Sequence, residues 1–278
     1  MIPDLIQNTQ FVTIEELVNS PHSTKLTFED AILLLASPDS LSDLILSSDG
    51  KKLTDGKFDF PVLNENPVLY PSAVNEAFID SGLNLKYYED SVRQYFLLSQ
   101  IKQRGEINAP SESIHYQRHL YRMKEFLKEY EGLALDVGCD NTDIGASLFS
   151  SKSKYLGLDP FASDNTKFKV IGVGESLPFK SEIFDLVLFN TSLDHILDYN
   201  TAIEEAYRVL KPGGVLVISI LIWHKNATLL MDMVHFHHFR DFEIKGSLAQ
   251  KGKVVKEKCY SYKDDTNRYG LYIAARKF

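Results

Sequence analysis

Downstream of Gly132, short apolar runs alternate with stretches of helical spacing. Leu133 to Val137, Tyr155 to Leu158, Val170-Ile171, Phe184 to Phe189 and Val215 to Ile220 have the length and content of buried strands. Asp143 to Leu148 and Asn200 to Leu210 read as helices, the second stopped by Lys211-Pro212-Gly213-Gly214. Strands alternating with helices predict an α/β domain built on a parallel sheet with helices on both faces. Ligands of such sheets bind beyond the carboxyl ends of the strands. Asp136 to Asp140, Asp159, Glu175 and Asn190 fall at those ends.

The first half of the chain follows another pattern. Ile14 to Val18 predicts a short helix, with Thr13 and Glu16 placed as a capping box. Residues 27–35 suit either a helical turn or a strand. Residues 41–70 read as short β pieces turning at Asp49-Gly50 and Asp55-Gly56, and Pro61, Pro67 and Pro71 punctuate their end. A helix is predicted over 73–104, a linker over 105–113, and a second helix from Ile114 to Tyr130 with Leu120, Met123, Phe126 and Leu127 on one side. The expected organisation is a β-rich module over 1–72, a helical linker or lid over 73–113, and the α/β domain over 114–278.

Charge sharpens this division. The 278 residues carry a formal net charge of −8, yet residues 1–80 hold 13 acids and 4 bases, which leaves the remainder close to neutral. An acidic chain lacks the Lys/Arg excess that phosphate neutralisation needs, so nucleic acid is not an expected partner. No run approaches the roughly 20 apolar residues of a membrane span, and no secretory leader is evident, so a cytoplasmic location is expected. Cys139 and Cys259 are the only cysteines, which excludes a disulfide framework and a four-cysteine zinc site.

The strand ends carry the candidate chemistry. Gly138 follows the first strand of the α/β domain, where the backbone must turn sharply and approach a ligand. Asp159 closes the next strand 21 positions later, a spacing suited to hydrogen bonding ribose hydroxyls. The series Gly138-Cys-Asp140-Asn-Thr142-Asp-Ile-Gly145 lacks the middle glycine of a nicotinamide fingerprint.

Residues 133–220 resemble a class I S-adenosylmethionine-dependent methyltransferase of the small-molecule kind often labelled type 11. The resemblance rests on Leu-Asp136-Val-Gly138-Cys139, Gly-Leu-Asp159-Pro160, Gly174-Glu-Ser-Leu-Pro-Phe179, Phe184-Asp-Leu-Val-Leu-Phe-Asn190, Leu193-Asp-His-Ile196 and Glu204-Glu-Ala-Tyr-Arg-Val-Leu-Lys-Pro-Gly-Gly214. It implies a Rossmann-like, mostly parallel sheet of seven strands, the last two near Val254 to Cys259 and Tyr272 to Ala275. It also implies S-adenosyl-L-methionine as cofactor and S-adenosyl-L-homocysteine as product. Asp136, Gly138 and Cys139 would hold the methionine end, Asp159 and Pro160 the ribose side, Glu175, Ser176 and Leu177 the adenine border, and Asn190 the floor near the sulfonium. The family usually has glycine at the positions of Asp140 and Thr142, and often an acid at Val173. An inactive or weak methyltransferase-like binding or scaffold protein is therefore the alternative.

A second resemblance covers residues 32–71. Leu35-Ala-Ser37-Pro-Asp-Ser40, Phe60-Pro61-Val62-Leu63 and Asn66-Pro67-Val68-Leu69 are similar to the zinc-ribbon activator subunit of tRNA and protein methyltransferases. Serines stand where that family opens with cysteines, so no zinc is expected, and contact with a protein partner is the implied role. A plain β-hairpin cap is the other reading. Near the C-terminus, His235, His237 and His238 cluster in sequence. The cluster suits either a metal site or a substrate-facing segment, and the latter is expected, with His235, His238 or His195 as base or substrate ligand and no metal. Residues 221–278 hold 11 bases and 6 acids, which suits an anionic small molecule such as a nucleotide sugar.

Overall fold

The computed structural model describes residues 10–71, 113–160, 168–224, 235–262 and 265–278. The helix expected over 73–104, most of the linker after it, and residues 231–234 lie outside the described residues.

The N-terminal segment opens with α1 (Ile14–Asn19), whose cap is reciprocal: Glu16 N donates to Thr13 Oγ1, and Thr13 N donates to Glu16 Oε2 at 2.9 Å. A two-residue strand, β1 (Thr24–Lys25), precedes α2 (Phe28–Ile32). The choice over residues 27–35 falls to helix because Thr27 caps it and Phe28 and Ala31 bury their side chains. Four short strands then form an antiparallel sheet in sequential order: β2 (Ile45–Leu46), β3 (Lys52–Thr54), β4 (Asp59–Leu63) and β5 (Asn66–Pro67). Both Asp-Gly turns put glycine at positive φ, 70° at Gly50 and 87° at Gly56.

At the base of this module, the hydroxyls of Ser37 and Ser40 both donate to Asp55 Oδ2, at 2.6 and 3.0 Å. The Phe58 N–H donates to Asp55 Oδ1 at 2.7 Å. These bonds, Ser37's first, hold the Asp55 carboxyl well below the usual carboxylate range. A carboxylate thus ties Ser37 and Ser40 together.

The larger sheet is built from β6 (Gly132–Val137), β7 (Ser153–Asp159), β8 (Val170–Ile171), β9 (Phe184–Asn190), β10 (Leu210–Trp223), β11 (Gly252–Tyr262) and β12 (Asp265–Lys277), joined by β1. The order is β1-β7-β6-β9-β10-β12-β11, with β8 also pairing β7. Pairing is parallel from β1 through β10 and antiparallel at β10–β12–β11. Among the described residues the sheet has eight strands rather than seven. The added one is β1, which pairs with β7 at Lys154 and Tyr155, while β8 pairs with it at Leu158 and Asp159. Covering that edge satisfies backbone groups that would otherwise face solvent.

Helices α3 (Ile114–Leu127), α4 (Thr142–Ser147), α5 (Tyr199–Val209) and α6 (Asp241–Ala249) flank the sheet. Side chains alternate between two cores, as a strand dictates. Leu186 and Leu188 join α3's Leu120, Met123, Phe126 and Leu127 in one core, whereas Val187 and Phe189 point into the other with α5's Ala202, Ile203 and Ala206. Burial on both faces is why these strands read as continuous apolar runs. Among the described residues no helix is long and apolar enough to cross a membrane.

The N-terminal module docks on the β8 edge. Leu69 N donates to Ile171 O at 2.7 Å in a parallel bridge, Lys169 N donates to Asn66 Oδ1 at 2.8 Å, and Ser176 Oγ donates to Pro38 O at 2.8 Å. The Tyr70 hydroxyl donates to Pro160 O. Strand addition thus carries the module to the rim of the crevice above the parallel strands.

Candidate cofactor and acceptor site

Four strand ends converge at this rim. After β6, Gly138 turns with φ 79°, and its N–H, like that of Cys139, donates to Leu158 O. A Cβ at Gly138 would overlap Ser192 Cβ. The backbone here demands glycine both for its torsion and for the close approach of Ser192, whose hydroxyl donates to Val137 O.

The two departures from glycine have different consequences. Asp140 takes φ 43°, the left-handed region that short polar side chains such as Asp tolerate best. Thr142 begins α4 with helical backbone and a buried side chain, so no glycine torsion is needed there. The loop therefore keeps a turn without its second and third glycines. Its next residue, Asn141, caps α4 by accepting from Asp143 N at 3.0 Å.

Asp136 and Asp159 lie behind this loop. Asp136 is buried; its Oδ2 accepts from the Tyr155 hydroxyl at 2.9 Å, and its Oδ1 has no hydrogen-bond partner. Burial pushes its carboxyl up to about 7, with the Asp159 charge adding to the rise and the Tyr155 bond opposing it. Asp159 Oδ2 accepts the Asp140 N–H at 2.9 Å. The buried Lys169 ammonium stands 3.8 Å from Asp159 Oδ1 and donates to Asp140 O at 3.1 Å. The Asp159–Lys169 pair thus pins the loop from below. Cys139 is buried, with its thiol pushed well up by burial, and packs where a Gly157 side chain would sit.

Asn190 ends β9 in a buried chain of polar groups. Its Oδ1 accepts from Ser219 Oγ at 2.9 Å and lies 2.8 Å from His119 Nε2, while His119 Nδ1 lies 2.6 Å from the Tyr272 hydroxyl. With Asn190 Oδ1 as acceptor, His119 carries its proton on Nε2 and accepts from Tyr272. Burial lowers His119 to about 4, with the Asn190 bond opposing and the Arg122 charge adding to the fall. One turn away on α3, Tyr116 lies close to the loop acids: burial first, then the charges of Asp140 and Asp136, push its hydroxyl up to about 12.

These two buried groups oppose each other in pH dependence. Asp136 binds its proton more tightly in the folded state, so its contribution is present at low pH and is lost as pH rises through about 7. His119 binds its proton less tightly when folded, so its contribution is present above about 6.5 and is lost as pH falls toward 4. The expected result is a shallow stability profile between pH 4.5 and 6.5 for the parent chain. Asp136→Asn removes one arm, so denaturant unfolding of that variant should weaken on acidification across this window by on the order of 3 kcal/mol more than the parent. Equal slopes in the two proteins would refute the assignment.

The segment expected at the adenine border is committed to other bonds. Glu175 Oε1 accepts from Leu197 N at 3.1 Å, Ser176 holds the N-terminal module, and Leu177 is fully buried with its N–H on Glu205 Oε2. Arg208 reaches Leu177 O and Phe179 O, each at 2.7 Å, and ion-pairs Glu205, which fixes the loop's path.

The histidines assemble beyond the end of β9, against the turn that follows it. The His195 and His235 rings lie 4.6 Å apart between centroids, His238 lies 6.2 Å from His235, and His238 meets the Trp223 ring edge-on at 4.8 Å. His237 is engaged elsewhere, its Nε2 within 3.0 Å of the Ile196 and Leu197 carbonyls. The structure therefore brings the three candidate bases to one place. Lys169 and Ser192 at this rim, and Tyr116 and His119 of α3 beside it, were not among the residues expected from the sequence. The available signal was the three-residue spacing of Tyr116 and His119, which puts both on one face of α3.

Known proteins extend these observations. Residues 135–218 match the family described as "Methyltransferase domain". A demethylmenaquinone methyltransferase of Staphylococcus epidermidis is 36% identical over 161 residues, covering 51% of this chain and 66% of that protein. A mitochondrial arginine-hydroxylase of Danio rerio is 35% identical over 94 residues, covering 31% of this chain and 29% of that one. The chain spans only about half of other curated relatives, such as the demethylmenaquinone methyltransferase of Oceanobacillus iheyensis, 33% identical over 37% of this chain and 52% of that protein. A Burkholderia thailandensis 1,6-didemethyltoxoflavin N1-methyltransferase, solved with its substrate and S-adenosylhomocysteine, superposes with a TM-score of 0.55 at 14% identity, over 80% of this chain and 96% of that one. Parallel strand order, the glycine turn after β6, the acid ending β7 and the matched segment agree, and they identify the region around residues 135–218 as a class I S-adenosylmethionine-dependent methyltransferase domain.

Proposed function

We propose that this chain transfers a methyl group from S-adenosylmethionine to an oxygen or nitrogen of a small molecule. The observation that carries the reading is the buried Asp136, with an unpartnered Oδ1 beneath a positive-φ glycine turn and beside the acid that ends β7. A buried carboxylate oxygen without a donor calls for a cationic or hydrogen-bonding ligand group. The cofactor's α-ammonium is such a group. The carboxyl of Asp136, raised to about 7, would ionise fully only when a cation meets it.

When bound, the cofactor supplies an electrophilic methyl group on a sulfonium. The chain's own residues do the rest. Asp136 and the Gly138-Cys139 backbone hold the methionine end. Asp159 and Pro160 orient the ribose, and the 175–177 loop borders the adenine with its backbone, since its side chains are engaged. Asn190, held by Ser219 and His119, floors the crevice. An imidazole nitrogen of His195, His235 or His238 accepts the proton that the acceptor releases. Most of the acceleration would come from placing two reactants in line. The basic surplus of 221–278 favours an anionic acceptor, such as a nucleotide sugar.

Calorimetry with S-adenosylmethionine and S-adenosylhomocysteine tests this directly. Saturable binding of both at one site per chain is expected. Failure of both to bind at millimolar concentration would overturn the enzyme reading in favour of a scaffold built on the same fold.

A further inference from the structure

The sequence cluster His235, His237 and His238 does not assemble as a unit; a different trio does. Asp194 and His195 lie in a 3₁₀ turn (Leu193–His195) after β9, and residues 235–237 fold against that turn: Phe236 N donates to Asp194 O at 2.8 Å and His237 N at 3.3 Å. This clamp sets His235 Nε2 3.8 Å from Asp194 Oδ2 and His195 Nε2 3.9 Å from Asp194 Oδ1. One donor atom from each of the three residues lies within 4.8 Å of the others.

We propose that Asp194, His195 and His235 form a binding site for a divalent first-row transition cation at the acceptor side of the crevice. Three observations carry it. The donor set is two imidazoles and one carboxylate, which suits zinc, cobalt, iron or manganese and leaves coordination positions open. The spacing is close: one donor atom from each residue lies within 4.8 Å of the others, so a central cation sits at most about 2.8 Å from each, and a contraction of up to roughly 0.7 Å reaches the usual bond lengths of about 2.0–2.2 Å. The third is the carboxylate itself. Asp194 is 7% exposed, and its Oδ1 has no hydrogen-bond partner. A buried carboxylate oxygen in that condition needs a compensating charge.

The two imidazoles are each 29% exposed, so the open side of the site faces outward rather than into the core. Asp194 follows Asn190 by four residues, and Ser192 between them touches the Gly138 turn, so the site lies on the rim of the proposed methyl-transfer crevice. An acceptor bearing oxygen atoms would fill the open positions. That role rests on the methyltransferase reading; the binding of the cation does not. With His195 and His235 as ligands, His238 is the imidazole left to take the acceptor's proton.

The test uses the full chain without a polyhistidine tag, stripped of metal by a chelator. It is titrated with Co²⁺, followed by visible absorption, and with Zn²⁺ by competition. One equivalent should bind, and His235→Asn and Asp194→Asn should each weaken it at least tenfold. His22→Gln, in the N-terminal segment, should leave it unchanged. Should Asp194→Asn fail to fold, His235→Asn decides alone, since its ring is partly exposed. No saturable binding, or binding unaffected by His235→Asn, would overturn the site. S-adenosylhomocysteine binding is measured on the same samples. Cofactor binding without metal binding rejects the cation site alone, and metal binding without cofactor binding upholds the site while rejecting its part in methyl transfer.

Discussion

Asp159→Ala is expected to reduce S-adenosylhomocysteine affinity at least a hundredfold and to destabilise the fold at the same time. Two losses act together. The ribose would lose a charged acceptor for its hydroxyls, and charge-assisted bonds contribute roughly 1.5–3 kcal/mol each. The chain would also lose the partner of Lys169, whose side chain is 4% exposed, and the acceptor of the Asp140 N–H. Removing one member of a buried ion pair costs about 3–5 kcal/mol, because the remaining charge is stranded. The two losses separate in a double variant. Asp159→Ala with Lys169→Met should recover much of the stability, read by denaturant unfolding, yet should not recover binding, read by calorimetry. Recovery of binding in the double variant would mean that Asp159 only pins the loop and does not touch the cofactor.

Gly138→Ala should be comparably severe by a different route. At φ 79° an L side chain is strained, and the added methyl group would overlap Ser192 Cβ, with Ser192 Oγ only 3.0 Å away. Ser192 cannot yield freely, because its hydroxyl is tied to Val137 O and its backbone carbonyl accepts from His195 N. The expected cost is about 2–4 kcal/mol of stability, the sum of a disfavoured torsion and an overpacked contact. Binding should fall below detection, since the turn that approaches the cofactor must open. Gly138→Ala combined with Ser192→Gly tests the cause. Relief of the contact should restore part of the stability and leave the torsional strain. A single variant as stable as the parent would show that the turn is not held as the structure has it.

The loop's two non-glycine residues show how local chemistry can replace a motif. Read as a string, Asp140 and Thr142 spoil a glycine-rich loop. In three dimensions Asp140 occupies a torsion that its short polar side chain tolerates, and its N–H and C=O are satisfied by Asp159 and Lys169. Thr142 needs nothing special because α4 has already begun there. The change the loop carries is electrostatic rather than conformational: an extra carboxylate stands there, near Tyr116 and the buried pair.

What the sequence determined by itself was periodic and local. Continuous apolar runs separated by helical spacing specify a sheet buried on both faces, because a strand alternates its side chains and both sides here meet helices. The capping box at Thr13, the Asp-Gly turns and the glycine after β6 were legible because each depends on the torsions or hydrogen bonds of a few neighbouring residues. Order along the chain also placed Asp136, Asp159 and Asn190 at strand ends. Tertiary structure alone decided which side chains meet across long separations. Lys169 reaches Asp159 and the Asp140 carbonyl from the start of β8, which pairs with β7 and is bonded on its other side by Asn66 and Leu69. Asp194 joins His195 to His235 across about forty residues only because 235–237 fold back on the 3₁₀ turn. Neither pairing has a period or a spacing to announce it. Both follow from packing and from the need of buried polar groups for partners, a condition that is met in space rather than along the chain.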